Sequence, residues 1–542
     1  MLKICDKKVF LWFIMAIAVF IRLYPINGLT KGSITFNAGD GLFVSSAITM
    51  QSLWNAASDQ ISKDQAALRY IILHFFLFFG RDEFIIRFPA FLFGIASIYL
   101  TYLLGKSLFS HSVGLLSSFL LSLSPWHIHH SCYSEMYTLY VFFSLLSAYC
   151  FYNILINDSL WLKISFVLSS LLGFYSFHPF ICVIFSELVF FVFFCRKKYR
   201  EKHIFVLFLI IAVFLSPALE NISKAFLWKK DFGDYSWGWG LWELFPELLS
   251  TFGGLTKFVP LNVFIFLFGF AIISKESVTK RKGIFLLLLI FIPLFFFLAC
   301  FLLFKMNITG RYFLFIYPYF IVVAAFGIVH IKKRKIGAFL VFLFNVSLIL
   351  LFLGKAGLAT TKYIPYDYMR RDVDFNFLAK YLFDNYREGD VVVIEQQTGI
   401  FALQYYLDKN NLYPVKLVSP YCGKDKFYYR YDGDRIKNLF GLIEFDQTPQ
   451  RLEKIWRSYN RLWLIDLDHL SYADSQGKIQ AWINENYSRK TTVHGASIYL
   501  FGDNNKKKEM VRKGEDYKCD KLICFLDCKG GVWNILYPFQ KK

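Results

Sequence analysis

Charged residues are scarce in this sequence of 542 residues: they make up 18% of it, against about a quarter in average soluble domains. Hydrophobic residues make up 56%, with 64 phenylalanines, and apolar runs long enough to cross a bilayer recur through the first two thirds. No small-x-small cleavage site follows the first run, residues 9–26, so it is interpreted as a membrane helix. This composition predicts an α-helical polytopic membrane protein.

Several sequence motifs of known chemistry are also missing. There is no HExxH zinc motif, no paired CxxC, no Walker loop for nucleotide phosphates and no motif for DNA or RNA. The net charge of +20 is therefore interpreted as cytoplasmic anchoring, because basic residues cluster in short loops between apolar runs, and nucleic acid is not an expected partner. Four of the ten cysteines lie in the polar C-terminal part, where disulfides are favoured over metal if that part faces an oxidising compartment. Their pairing stays open: Cys422, Cys519, Cys524 and Cys528.

The apolar runs predict eleven spans, at about residues 9–26, 88–105, 112–127, 136–155, 160–177, 179–195, 203–219, 258–274, 283–304, 311–330 and 336–354. A further run, residues 67–79, is too short to cross and is interpreted as a helix on the outer surface. With that choice, all four basic loops lie on the cytoplasmic side, as the positive-inside rule requires. Residues 27–87 and 219–257 then form long outer loops, and the C-terminus lies outside.

The pattern changes near residue 372, where predicted strands alternate with amphipathic helices. The segment EGDVVVIEQ (388–396) and the segments RLWLIDL and SIYLF after it are typical strands of a small α/β domain. We therefore expect a transmembrane catalytic domain over 1–355, an extracytoplasmic α/β domain over 356–503 and a polar, cysteine-containing tail over 504–542.

Two carboxylates on the predicted outer side are candidate catalytic groups. Asp40 lies in TFNAGDGLFVSS (35–46), and Glu135 lies directly before a span in SPWHIHHSCYSEMYTLY (124–140). An acid beside the hydrocarbon is expensive unless it is paired or hydrated. A partly desolvated carboxylate can act as a general base on a hydroxyl. The alternative is a hydrated loop acid with no role.

Cationic and aromatic residues near the predicted outer helix ends are candidate binding groups. Arginine suits a bidentate grip on phosphate, although single arginines also extend toward lipid head groups. For the histidines of WHIHH (126–130) and for His178, hydrogen bonding or phosphate contact is favoured over metal. The tryptophans of the loop 228–245 suit either the membrane interface or stacking on sugar rings. The candidates at these positions are Arg22, Arg87, Arg311, His178, Trp237 and Trp239.

Five stretches together resemble the GT-C superfamily of polyprenyl-phosphate-sugar glycosyltransferases, of the glycosyltransferase family 39 type. They are FIRLYP followed by an outer acid, LRYIILHFFLFFGRDEFIIRFPAFLFGI, LSPWHIHHSCYSEMYTLYVFFSLLS, FYSFHPF and RYFLFIYPYFIVVAAFGI. The branch most similar contains protein O-mannosyltransferases and the lipid A aminoarabinose transferase. The resemblance implies the GT-C fold and transfer of a sugar from a lipid phosphate to a protein, lipid or glycan acceptor at the plasma membrane, on its extracytoplasmic side.

The resemblance also implies roles for single residues. Asp40 would be the catalytic base or the group that orients the acceptor, and Tyr137 is the tyrosine of the second outer-loop motif. The chain departs from the family where Gly41 replaces the second acid of an Asp-Glu pair and where Glu135 replaces an arginine. No metal ligand is assigned, and a divalent metal stays possible because members of the superfamily differ in this respect. The alternatives are a transporter or flippase of envelope lipids or glycans, and a non-catalytic assembly protein that keeps the fold.

Overall fold

The computed structural model describes these residues: 7–26, 67–80, 82–134, 137–194, 200–231, 259–275, 277–304, 310–331, 335–337, 339–341, 373–394, 399–412, 415, 417–418, 448–466, 478–493 and 496–502. They belong to two compact units, a helical unit (1–27 and 57–370) and a C-terminal unit that includes residues 371–542.

Helices of the helical unit follow the apolar runs of the sequence. They are α1 (Lys7–Ile26), α2 (Ala67–Phe76), α3 (Glu83–Leu108), α4 (His111–Ser122), α5 (Pro125–Ser131), α6 (Tyr137–Ile154), α7 (Leu160–Ser176), α8 (Ile181–Phe194), α9 (Arg200–Asp231), α10 (Val259–Ile273), α11 (Ser277–Phe304) and α12 (Tyr317–Val329). Short 3₁₀ turns precede α8, at His178–Phe180, and α12, at Gly310–Phe313. Helix α3 packs against α1, α4 and α6, and α12 packs against α4 and α10.

Three of the described helices are long and apolar enough to cross a membrane: Glu83–Leu108, Tyr137–Ile154 and Thr279–Leu303. Six shorter apolar helices of 10–17 residues accompany them. Large apolar side chains lie exposed on the outside of the helices, such as Trp12 at 73% and Leu303 at 74% exposure. A surface of this kind suits a hydrocarbon solvent, in which backbone polar groups must be satisfied within helices.

Predicted span boundaries are wrong at three places. Helix α9 continues to Asp231, twelve residues beyond the predicted end at 219, and α12 begins at Tyr317 rather than at 311, because a 3₁₀ turn precedes it. The third place is the run 112–127. The sequence predicts a single span over 112–127, but α4 ends at Ser122 and a separate seven-residue helix, α5, begins at Pro125. Proline lacks the N–H that a continuing helix needs and is favoured at a first helical position. The hydroxyl of Ser124 caps the new helix by accepting from the backbone N–H of His127 at 3.3 Å. Because of this break, the histidines of WHIHH lie on a separate short helix.

The C-terminal unit is built on a five-stranded sheet with the order β2-β1-β3-β5-β4. The strands are β1 (Asp390–Ile394), β2 (Leu417–Val418), β3 (Arg461–Asp466), β4 (Arg489–Val493) and β5 (Ala496–Phe501). Its helices are α13 (Phe375–Asn385), α14 (Gly399–Lys409), α15 (Thr448–Ser458) and α16 (Lys478–Asn486). Strands β2, β1 and β3 are parallel to one another, and β5 pairs antiparallel with both β3 and β4. The predicted α/β character of this region is confirmed.

A buried network of charged and polar groups surrounds Asp390, the first residue of β1. The carboxylate of Asp390 accepts from Arg461 at 2.8 Å and 2.6 Å and from the indole N–H of Trp463 at 2.9 Å. The backbone N–H of Arg387 donates to the same carboxylate at 2.9 Å. These four donors satisfy the buried carboxylate, which would otherwise be costly to bury.

Candidate active site

The predicted site residues divide into those that the structure describes and those outside the described residues. Asp40, Glu135, Trp237 and Trp239 lie outside the described residues. Arg311 lies in the 3₁₀ turn Gly310–Phe313, of which only the backbone at this position is described. Side chains are described for the remaining four: Arg22, Arg87, Tyr137 and His178.

The guanidinium of Arg22, near the end of α1, is fully buried and binds two later helices. Its Nε donates to Ser131 Oγ at 3.2 Å, and its Nη1 donates to the carbonyl of Ser122 at 3.0 Å and to that of Ala18 at 3.1 Å. Its Nη2 lies 2.9 Å from Nδ1 of His127. Arg22 therefore fixes α5 against α1 and the end of α4. A direct role in substrate binding stays a prediction for this residue.

His127 takes its orientation from these contacts and from α5 itself. The side chain is fully buried, and the hydroxyl of Ser131 donates to the His127 carbonyl at 2.6 Å. Burial, the charge of Arg22 and the neighbouring His130 hold the pKa of His127 well below its usual value. The ring is therefore neutral at physiological pH.

Arg87, in the first turns of α3, is 1% exposed. One turn later, the carbonyl of Ala90 accepts a hydrogen bond from Thr138 Oγ1 at 2.7 Å, which binds α3 to the first turn of α6. Tyr137 begins that helix and is itself buried. Arg87 and Tyr137 thus lie at the same end of the bundle as Arg22.

A run of aromatic rings joins α5 to the two 3₁₀ turns. The ring of Tyr137 lies 5.1 Å from that of His130 and 5.9 Å from that of Tyr140, measured between centroids. Tyr140 stacks on Phe177 at 4.6 Å, and Phe177 lies 5.7 Å from Tyr312. The run ends beside two predicted site residues, because Phe177 precedes His178 and Tyr312 follows Arg311 in the chain. The structure therefore brings these positions to one end of the bundle.

His178 lies in the 3₁₀ turn between α7 and α8. Burial, with a smaller effect of the charge on Arg69, lowers the pKa of His178 to about 4. Arg69 belongs to α2, which packs against α7. His178 is therefore neutral at physiological pH, and its imidazole can act as a hydrogen-bond donor and acceptor but not as a cation.

Two features of the bundle were missed by sequence reasoning. One is the pairing of His127 with Arg22, which depends on the break at Ser124. The other is Glu187 on α8, a fully buried acid whose carboxyl oxygens lie 2.9 Å and 3.1 Å from Ser147 Oγ. The sequence signal for Glu187 was an acid inside an apolar run, because charged residues are costly in membrane helices and often mark functional sites there.

No set of three potential metal ligands lies together among the residues with described positions. The two predicted outer acids are not among those residues, so the predicted possibility of a divalent metal is untested.

The chain is similar in sequence to one protein family. The family model of dolichyl-phosphate-mannose-protein mannosyltransferases matches residues 44–220, which is less than half of the chain. This matched region contains α2 to α8 and the candidate residues Arg87, Glu135, Tyr137 and His178. No curated protein matches the chain by sequence.

Solved structures of similar fold include those of ArnT and AglB. ArnT from Cupriavidus metallidurans, both in the apo state and bound to undecaprenyl phosphate, matches with a TM-score of 0.52 and 11% identity over 90% of this chain and 97% of that protein. The archaeal oligosaccharyltransferase AglB from Archaeoglobus fulgidus, in complex with an inhibitory peptide and a dolichol-phosphate, matches with a TM-score of 0.50 and 12% identity. That match covers 91% of this chain and 74% of AglB. At such low identity these likenesses show a shared fold, which extends over nine-tenths of this chain.

Proposed function

We propose that this chain is a member of the GT-C superfamily of polyprenyl-phosphate-sugar glycosyltransferases, and that it transfers a sugar from a polyprenyl-phosphate donor to an acceptor hydroxyl or amine; the family match over residues 44–220 and the shared fold support this proposal. The observation that supports the proposal most directly is the gathering of cationic, imidazole and aromatic side chains at one end of the bundle. Such a surface suits a ligand that carries both a phosphate and a sugar ring.

The proposed reaction needs one base and one anion stabiliser. Asp40 takes the proton of the acceptor as the acceptor oxygen or nitrogen attacks the anomeric carbon from the side opposite the lipid phosphate. The bond between the anomeric carbon and the phosphate oxygen breaks, and its electron pair leaves with the phosphate. Arg311 and Arg87 stabilise the negative charge that develops there. Since phosphate is already a good leaving group, the step needs no nucleotide.

The remaining candidates have supporting roles in this proposal. Tyr137 and His178 border the sugar and phosphate as neutral hydrogen-bonding groups. Trp237 and Trp239 offer aromatic faces to a sugar ring, and Glu135 is a second acid beside the reaction. The acceptor is a protein, a lipid or a glycan. The charge pattern of the basic loops supports an active site that opens on the extracytoplasmic side of the plasma membrane.

The function is tested by sugar transfer from a radiolabelled polyprenyl-phosphate donor with purified protein in lipid. We expect Asp40→Asn to abolish transfer without a change in yield or in elution volume. Asp158→Asn is the matched control. Asp158 is a half-exposed carboxylate in the turn between α6 and α7, where it pairs with Lys163 of α7. This turn lies at the end of α6 opposite Tyr137. Wild-type turnover by the Asp40→Asn variant would refute the role of this acid. Movement of intact donor across the bilayer without sugar release would instead indicate a flippase.

A further inference from the structure

Within the described residues, the partners of the buried Arg22 cation are all neutral groups. Its four contacts are one hydroxyl, two backbone carbonyls and one imidazole nitrogen. No carboxylate among the described residues forms an ion pair with this side chain, although the side chain is 0% exposed. A buried charge without a counter-ion is costly, so this end of α1 favours an anion nearby.

The contact between Arg22 and His127 fixes the position of the imidazole proton. A guanidinium has only donors, so Nδ1 of His127 must accept from Arg22 Nη2 and cannot carry a proton. A ring with a bare Nδ1 carries its proton on Nε2. The neighbouring positive charge and the burial of the ring both act against a second proton.

The resulting Nε2–H is a buried donor that has no acceptor within the described part of the chain. A buried donor without a partner is rare in folded proteins, because leaving it unsatisfied costs about as much as one or more net hydrogen bonds. The donor is also polarised by the cation on the other side of the same ring, which makes it best suited to an anionic oxygen.

We propose that His127 is a further substrate-contacting residue, which donates from Nε2–H to a phosphate oxygen of the lipid-linked donor. Arg22 is then a positioning residue that acts on the phosphate through His127. Nε2 is covered in this structure, so side chains around α5 move when the phosphate binds. The inference rests on the proposed function and deepens it by assigning a phosphate contact to the helix that begins at Pro125.

Two substitutions of His127 distinguish a contact with the ligand from a purely structural contact with Arg22. His127→Asn keeps an acceptor at the place of Nδ1 for Arg22 but has no donor at the place of Nε2. His127→Gln is longer and returns an amide N–H to that place. If His127 contacts phosphate, the affinity for undecaprenyl phosphate falls about tenfold to a hundredfold in the Asn variant and recovers in the Gln variant. A purely structural role predicts the opposite order, because Asn preserves the contact with Arg22.

Binding of undecaprenyl phosphate to the full-length protein in detergent is the measurement, with inorganic phosphate as a competitor and elution volume as the check on folding. His111→Asn is the control, since His111 contacts Tyr102 at the other end of α3. If inorganic phosphate competes less well with the lipid in the Asn variant than in the wild type, the contact is assigned to the phosphate group. Equal affinity of both His127 variants and the wild type overturns the inference. If the wild type neither binds the lipid nor transfers sugar, the proposed function fails instead.

Discussion

Helices α10 and α12 cross at two glycines whose backbones touch. A Cβ atom added at Gly327 would lie 2.7 Å from the Cα atom and 2.9 Å from the backbone nitrogen of Gly269, and 3.3 Å from the carbonyl oxygen of Ile265. All three neighbours are backbone atoms, so a change of side-chain rotamer cannot relieve the clash. To reach an ordinary contact of 3.4 Å, the helices must separate by about 0.7 Å in Gly327→Ala.

The loss of unfolding free energy follows from the contacts between α10 and α12 that the separation weakens. Inserting a methyl group into a packed interior destabilises by about 1–3 kcal/mol, and the upper half applies here because two backbones must move. The stack of Phe266 on Phe320, with centroids 4.8 Å apart, lies between the same two helices. Helix α12 also carries Tyr319, whose hydroxyl lies 2.6 Å from Ser144 Oγ on α6. We therefore expect Gly327→Ala to lower the free energy of unfolding by roughly 2–3 kcal/mol.

Denaturant-induced unfolding of the purified protein in detergent measures this loss. Gly337→Ala is the matched control, because the nearest heavy atom to a Cβ at that position is 3.6 Å away. We expect the control to be less stable than the wild type by no more than about 0.5 kcal/mol, because a methyl group at this position makes only ordinary van der Waals contacts. Equal stability of the two variants would show that the glycine contact is not what sets the spacing of α10 and α12.

Three further predictions concern buried polar groups. Glu187→Gln keeps an acceptor oxygen for the hydroxyl of Ser147 and should change the free energy of unfolding by less than about 1 kcal/mol, whereas Glu187→Lys should lower it by at least about 2.5 kcal/mol; equal stability of both variants would refute this. Because the pKa of His178 is lowered to about 4, the unfolded chain binds this proton before the folded chain does, so stability should fall as the pH drops from about 6.5 to about 4. His178→Gln should unfold with a shallower pH dependence in that window, and an unchanged slope would contradict the reasoning. Asp390→Ala leaves Arg461 without its buried carboxylate and should destabilise the C-terminal unit by about 3–5 kcal/mol, seen as faster proteolysis within that unit of the full-length protein; unchanged protease resistance would refute it.

Most helix positions were predictable because an apolar run must be helical in hydrocarbon. The run 136–155 became α6 and the run 258–274 became α10, each within two residues. The boundary at Ser124 was not predicted, since hydropathy is nearly continuous there and only the proline and its cap end the helix. In the C-terminal unit β1 and β3 were visible as buried strands. β4, with the sequence RKTTV, has no apolar pattern of its own and exists because β5 pairs with it.

The site was predictable as a set of residue types at one end of the bundle but not as a set of contacts. Arg22 was expected near a ligand, which stays a prediction, but its contacts with helices far away in the sequence were not foreseen. Hydropathy cannot reveal such contacts, because they depend on where α5 packs. The signal for His127 was present in WHIHH, yet nothing in the sequence distinguishes it from its two histidine neighbours.

The contacts of Arg22 also set an order for biosynthesis. Apart from the carbonyl of Ala18, its partners are made 100 to 109 residues later, at Ser122, His127 and Ser131. While the ribosome produces α2 and α3, helix α1 therefore carries an arginine whose donors are largely unmet, a state that lipid or the insertion machinery must tolerate. The arrival of α4 and α5 ends that state, so α1 and α5 become committed to one another in a single event.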